Sequence, residues 1–336
     1  MRRLALILTS FLMLVCCDTV HQWPEPGCEV DPTDLSAQID VTCEIELDIE
    51  KIITKGALSP EYTDADKYLR RYHINIYGEG REGNELVFSD VFFQETATMD
   101  PLTFGTTLHA KKYQILVWMD YVLADSREKD LFYNTSSGLA AIRVPDRKAY
   151  TANCDFKDAQ TLLYPVDLTG SREWFKHIVI TVPLQRPVAK VTFEAVDFAD
   201  FAAKMGYKGD LDEYIGNFHV NVYYNGYIAT GFNAETQNLN DALTGYSYTS
   251  QPYNLQGGQL TRLGFDYLFV NGEKSSVMVS VEITDGEGKV INRVDDITVP
   301  TFRGKETVVR EKFFTKEYYP GIGINPEFDG EFNIYV

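Results

Sequence analysis

Gly78-Glu79-Gly80-Arg81-Glu82-Gly83 matches the glycine spacing of a dinucleotide-binding loop. That chemistry needs a helix N-terminus behind the glycines to meet a pyrophosphate. Here strand-like runs lie on both sides, so the segment reads as a hairpin loop. Asp285-Gly286-Glu287-Gly288 has calcium-binding residue types, but a calcium loop spreads its ligands over about twelve residues between helices. It reads as a second hairpin turn. The carboxylate pairs Asp64/Asp66 and Asp295/Asp296 have the residue types of glycoside hydrolysis, yet 49 Asp and Glu residues make solvated surface charge the simpler account. His21, His73, His109, His177 and His219 form no close pair, and no Gly-x-Ser-x-Gly nucleophile turn is present. The chain therefore offers no catalytic residue, metal ligand set or cofactor motif, and it is read as non-enzymatic.

One segment does imply a covalent reaction. Met1-Arg2-Arg3 is positively charged, residues 4–15 are apolar except Thr9 and Ser10, and Leu14-Val15-Cys16-Cys17 follows. The order is that of an export signal too short to stay in a membrane as a span. Its end resembles the lipobox of bacterial lipoproteins, in which a small residue precedes a cysteine that is acylated and becomes the new N-terminus. Cys17 is the expected lipidation site, with residues 1–16 removed. Several acyl chains at about 0.8 kcal/mol per buried methylene hold a protein stably at a bilayer. Residues 17–38 contain Pro24, Pro26, Gly27 and Pro32 without an apolar period, and read as an extended tether. Cys28, Cys43 and Cys154 remain. An exported location permits a Cys28–Cys43 disulfide, but buried, unreactive thiols are the default.

The elements behind these residues are strands. From residue 39 to 50, Ile39, Val41, Cys43, Ile45, Leu47 and Ile49 alternate with polar residues, which places one row in a core and one in water. Further strands are expected over 72–77, 85–93, 107–122, 138–144, 177–183, 188–195, 217–224, 264–270, 276–284, 289–299 and 307–314. Only 197–205 and 210–214 read as helical. A 13% aromatic content, with 21 Tyr and 20 Phe, agrees with sheets. The formal charge of −18 excludes a nucleic-acid partner, because phosphate binding needs concentrated positive surface.

Strands over some 300 residues exceed one ordinary sandwich of about 100 residues. Two β-sandwiches are expected, over 39–185 and 186–336, with Arg186-Pro187 at the junction; one large sandwich with insertions is the alternative.

A family resemblance rests on the lipobox and Pro-rich tether together with four runs. These are residues 113–121 (Tyr-Gln-Ile-Leu-Val-Trp-Met-Asp-Tyr), 184–191 (Leu-Gln-Arg-Pro-Val-Ala-Lys-Val), 265–272 (Phe-Asp-Tyr-Leu-Phe-Val-Asn-Gly) and 326–334 (Pro-Glu-Phe-Asp-Gly-Glu-Phe-Asn-Ile). Together they resemble the fimbrillin-like lipoproteins of Bacteroidales, in particular a domain of unknown function close to fimbrial anchor and minor subunits. The resemblance implies an all-β fold of two tandem transthyretin-like, Greek-key type β-sandwich domains with one or two short helices. It also implies an outer-membrane lipoprotein facing the cell exterior, in or beside a fimbrium or pilus. It carries over no catalytic residue.

Two segments bear on assembly. Ile322, Ile324, Phe328, Phe332, Ile334 and Val336 all fall on even positions, the pattern of a terminal strand that completes either its own domain or, by β-strand addition, another fimbrial subunit. The resemblance also implies removal of an N-terminal strand by an Arg-directed protease, for which Arg70-Arg71 is the candidate site. The same two residues also read as the solvated entrance of the 72–77 strand. A binding function of another class, for a nutrient glycan, would use exposed aromatics; Tyr223, Tyr224, Tyr227, Tyr246, Tyr248 and Tyr253 cluster in a loop-rich stretch.

Overall fold

The computed structural model describes residues 38–48, 65–80, 83–98, 100–169, 177–255, 259–315, 323–324 and 331–335. Within them twenty strands form five sheets, accompanied by two short α-helices and three-residue 3-10 turns. The alternating segment becomes β1 (Gln38–Glu46), in which Ile39, Val41, Cys43 and Ile45 are buried. It pairs antiparallel with β4 (Leu102–His109) and parallel with β8 (Ile178–Pro183).

A four-stranded sheet packs on this one, in the order β3 (Gly83–Glu95), β2 (Tyr68–Gly80), β5 (Lys112–Leu123), β7 (Gln160–Asp167). Phe88 and Phe92 of β3 stack on Phe104 of β4 at 5.4 and 5.2 Å between centroids. Residues 115–122 of β5 are buried without a break, so this strand is covered on both faces. Its second face carries Trp118, which meets Tyr133 edge-on at 5.4 Å and lies near Phe232 and Phe269. The strand expected over 107–122 is in fact β4 and β5. The chain turns at residues 110–111, where no Gly, Pro or Asn marks the reversal.

The second half supplies a sheet β13 (Ser247–Ser250), β10 (Phe218–Tyr224), β16 (Lys274–Asp285), β17 (Val290–Phe302). Facing it is the six-stranded order β14 (Tyr253–Asn254), β15 (Thr261–Phe269), β9 (Val188–Ala195), β18 (Glu306–Glu311), β20 (Glu331–Tyr335), β19 (Gly323–Ile324). Val220, Val222, Val281 and Ile283 from one sheet and Val191, Phe193, Leu263 and Val309 from the other share a core. The helices α1 (Phe198–Lys204) and α2 (Leu211–Ile215) close one end of it, with Phe198 and Phe201 packed on Phe218 and Phe314.

Between β5 and β7 the chain makes 3-10 turns and the two-residue β6 (Ile142–Arg143), where a strand over 138–144 was expected. β6 pairs with β11 (Ile228–Asn233), the middle strand of a small sheet completed by β12 (Asn238–Leu243). This connector therefore lies against the second half of the chain. Both glycine-rich loops are hairpins. Gly80 pairs with Gly83 between β2 and β3, and Asp285 Oδ1 accepts from the backbone N–H groups of Glu287 and Lys289 between β16 and β17. The architecture is almost all-β, and among the described residues no helix is long and apolar enough to cross a membrane.

Candidate functional site

Among the described residues a cluster of charges lies where the connector meets the second half. A 3-10 turn, Asp155–Lys157, and the residue after it present three charges in four positions. Each finds its opposite. Asp155 takes Lys190 of β9, Lys157 takes Asp266 of β15, and Asp158 takes Arg186, two residues before β9. Arg186 splits its fork, donating from Nε to Asp158 and from Nη1 to Asp48, both at 2.8 Å.

Asp266 is fully buried and accepts four hydrogen bonds. Lys157 Nζ at 2.6 Å and the backbone N–H of Tyr267 at 2.7 Å donate to Oδ1; the hydroxyls of Tyr150 at 2.6 Å and Tyr224 at 2.5 Å donate to Oδ2. Those four donors fill the acceptor sites of a carboxylate. The Lys157 ammonium also sits 3.8 Å from the centroid of the Tyr150 ring. Isolated charges at such depth would cost several kcal/mol each, so the pairing is what makes the burial tolerable. Burial pulls the Lys157 amine down, with Asp266 opposing, and pushes the Asp158 carboxyl up, with Arg186 opposing. For Arg186, burial is outweighed by Asp158 and Asp48, and its pKa rises. The arrangement can clamp the connector to β9 and β15, and it leaves no open acceptor on Asp266 for a substrate.

A smaller cluster lies inside the first half. Arg71 of β2 forms a two-pronged contact with Asp120 of β5, at 2.9 and 2.7 Å, and reaches Asp130 at 2.8 Å. His73, two residues on, is held at a pKa of about 4 by burial and by Arg71, against the pull of Asp130.

The residues singled out from sequence fall as follows. Cys17, Ile322, Phe328 and Val336 lie outside the described residues. Ile324 is in β19, and Phe332 and Ile334 are in β20, which pairs parallel with β18 of the same chain. Arg70 and Arg71 do not form a solvated strand entrance. They are buried within β2, with backbone partners on β3 and β5, because β2 starts at Tyr68 and the Arg70 fork donates to the carbonyls of Thr96 and Thr98. The tyrosine platform is also corrected: Tyr224, Tyr246 and Tyr248 are core, Tyr223 and Tyr253 are half-buried, and Tyr227 is exposed. Cys43 is buried, which pushes its thiol up to about 11, and the Cys154 thiol reaches the Tyr68 hydroxyl at 3.9 Å; Cys28 lies outside the described residues. Asp295 pairs with Arg293, while Asp296 accepts from Asn225. Among the described residues no three His, Cys, Asp or Glu side chains are grouped to hold a metal.

The model of a family of unknown function, DUF6562, matches residues 32–336. The chain belongs to that family. No curated protein matches this DUF6562 chain. Among solved structures it is similar to a candidate adhesin of Bacteroides ovatus, at 11% identity and a TM-score of 0.42 over 77% of this chain and 78% of that one. A candidate polysaccharide-binding protein (DUF1812) of Bacteroides thetaiotaomicron gives 12% and 0.42 over 76% and 80%. The fimbrial anchor protein Mfa2 of Porphyromonas gingivalis gives 12% and 0.40 over 76% and 82%.

Sequence reasoning about this DUF6562 chain missed the charge junction itself, although it singled out Arg186 and the Phe265-Asp266-Tyr267 run as architecture. The available signal was misplacement. Asp266 and Asp120 each interrupt an apolar run, over 265–269 and 115–122, where a carboxylate needs a partner from elsewhere. Nothing in the spacing tells which cation arrives, since Lys157 lies 109 residues from Asp266.

Proposed function

We propose that the protein is a lipid-anchored outer-membrane protein facing the cell exterior, and a non-enzymatic anchor or minor subunit of a fimbrium or pilus acting in adhesion or fimbria assembly. The observation that carries this reading is the order of the N-terminal residues: Arg2-Arg3, the apolar run, the lipobox ending at Cys17, and a Pro-rich tether before the first strand. The four sequence runs that resemble fimbrillin-like lipoproteins support it. So does the use of the buried charges, which are spent on one another. Its partners are the membrane, through the lipid, and other subunits by β-strand addition.

The same reading takes the fold as two tandem transthyretin-like, Greek-key type sandwiches with the boundary near Gln185. Support comes from two hydrophobic cores, one containing Ile39, Ile74, Ile115 and Trp118 and the other Val220, Phe193, Val281 and Val309. The cores are not independent. Phe232 and Phe269 belong to the first, Tyr150 to the second.

The test is cell fractionation combined with isolation of surface fimbriae. Wild type is expected in the outer membrane and with the fimbriae, and Cys17→Ala is expected folded but soluble. Membrane localisation unaffected by Cys17→Ala would refute the anchor. A glycan array on the soluble protein tests the other class of function, and binding of a defined polysaccharide would displace the fimbrial reading.

A further inference from the structure

We propose that Lys157 and Asp266 become joined by an intramolecular isopeptide bond between Nζ and Cγ, formed by the folded chain itself. Nζ stands 2.6 Å from Oδ1, and the two side chains are 1% and 0% exposed. An amine sealed from water is drawn toward its neutral, nucleophilic form, and burial acts on Lys157 in that direction.

The lysine hydrogen bond goes to Oδ1. Oδ2 accepts instead from Tyr150 and Tyr224, at 2.6 and 2.5 Å. Two hydroxyl donors on that oxygen form an oxyanion hole, placed where negative charge collects once nitrogen adds to Cγ. Burial first, then Asp266, pushes both phenols well above their ordinary range, so they remain protonated donors. The backbone N–H of Tyr267, 2.7 Å from Oδ1, steadies the oxygen that leaves.

Every atom the reaction needs is in the pair. The ammonium passes one proton to Oδ1, leaving a neutral amine and a carboxylic acid. The nitrogen lone pair forms the bond to Cγ while the carbonyl π pair moves onto Oδ2. A second nitrogen proton goes to the Oδ1 hydroxyl, which departs with its bonding pair as water as the Oδ2 pair re-forms the carbonyl. One ammonium and one carboxylate give one secondary amide and one water, with no oxidant, reductant or cofactor. Two effects drive it forward. Reactants held in place behave as if at roughly 10⁵–10⁸ M. The product also exchanges a buried ion pair, with its desolvation cost, for a neutral amide. The bond would tie the connector covalently to β15.

The experiment is tryptic peptide mapping by mass spectrometry of the denatured full-length protein. The expected result is one branched peptide containing Lys157 and Asp266, lighter than its two parts by one water, uncleaved after Lys157 and absent from Asp266→Ala. Separate linear peptides from wild type, with cleavage after Lys157, would overturn the proposal whether or not the variant folds. Tyr150→Phe/Tyr224→Phe keeps both reacting groups, and freshly made protein should then form the bond at least about tenfold more slowly. Formation at the wild-type rate would overturn the role given to the phenols.

Discussion

Arg186 holds a buried carboxylate and a half-exposed one, and its removal separates their contributions. Arg186→Met leaves Asp158 buried without its cation, a change expected to cost about 3–5 kcal/mol, whereas Asp48 can turn to water. Urea unfolding measures the loss, and adding Asp158→Asn should recover much of it. A single-variant loss under about 1 kcal/mol would mean that the ion pair is not holding the connector. His73 makes a second residue-scale prediction. Its pKa is about 4 when folded, against 6.5 for an ordinary histidine, so the unfolded chain binds the proton first as pH falls. The associated stability is complete above pH 6.5 and is lost as pH falls toward 4, by roughly 1–3 kcal/mol after allowance for partial exposure. His73→Asn should flatten the stability profile over that window, and a profile parallel to wild type would contradict the assignment. At this scale the sequence marked Arg186 and Asp266 as parts of the architecture. The charge junction they enter was not legible, because its partners are brought together only by the fold.

β1 and β10 were legible from alternation, each having one wetter face. β9, buried on both faces, β16 and the two helices also fall within a few residues of the sequence expectation. β7 was missed because Gln-Thr-Leu-Leu-Tyr-Pro-Val-Asp does not alternate and contains Pro165, which is tolerated because β7 is an edge strand. β12 was missed because Asn240-Asp241 breaks the alternation of its Asn-Leu-Asn-Asp-Ala-Leu sequence and none of its residues is fully buried. The C-terminal strand gives the prediction at this scale. β20 runs parallel to β18 from Glu306↔Glu331 to Arg310↔Tyr335 within one chain. Deleting residues 328–336 would strip that ladder and leave β18 as an edge. The Tm should fall by several degrees, since a few kcal/mol is a large share of a typical net stability of about 5–15 kcal/mol. An unchanged Tm, with loss only of assembly, would mark the strand as one donated to a neighbour.

The described residues form two cores stitched by a connector, and the stitching decides how the halves behave apart. A fragment beginning at Gln185 keeps the facing sheets around Val220 and Val309 but loses Lys157 and Tyr150, leaving Asp266 with Tyr224 and one backbone N–H. It should unfold cooperatively in calorimetry, at a lower Tm than the intact chain, and Asp266→Asn should raise the fragment's Tm while lowering that of the intact protein. A fragment with no cooperative transition would contradict the two-sandwich reading. The proposed surface role depends on the proposed anchor at Cys17. Mass spectrometry of the mature N-terminal peptide from the membrane fraction tests it most directly. The account predicts Cys17 as the first residue, carrying acyl chains; an unmodified N-terminus at any other residue would contradict it.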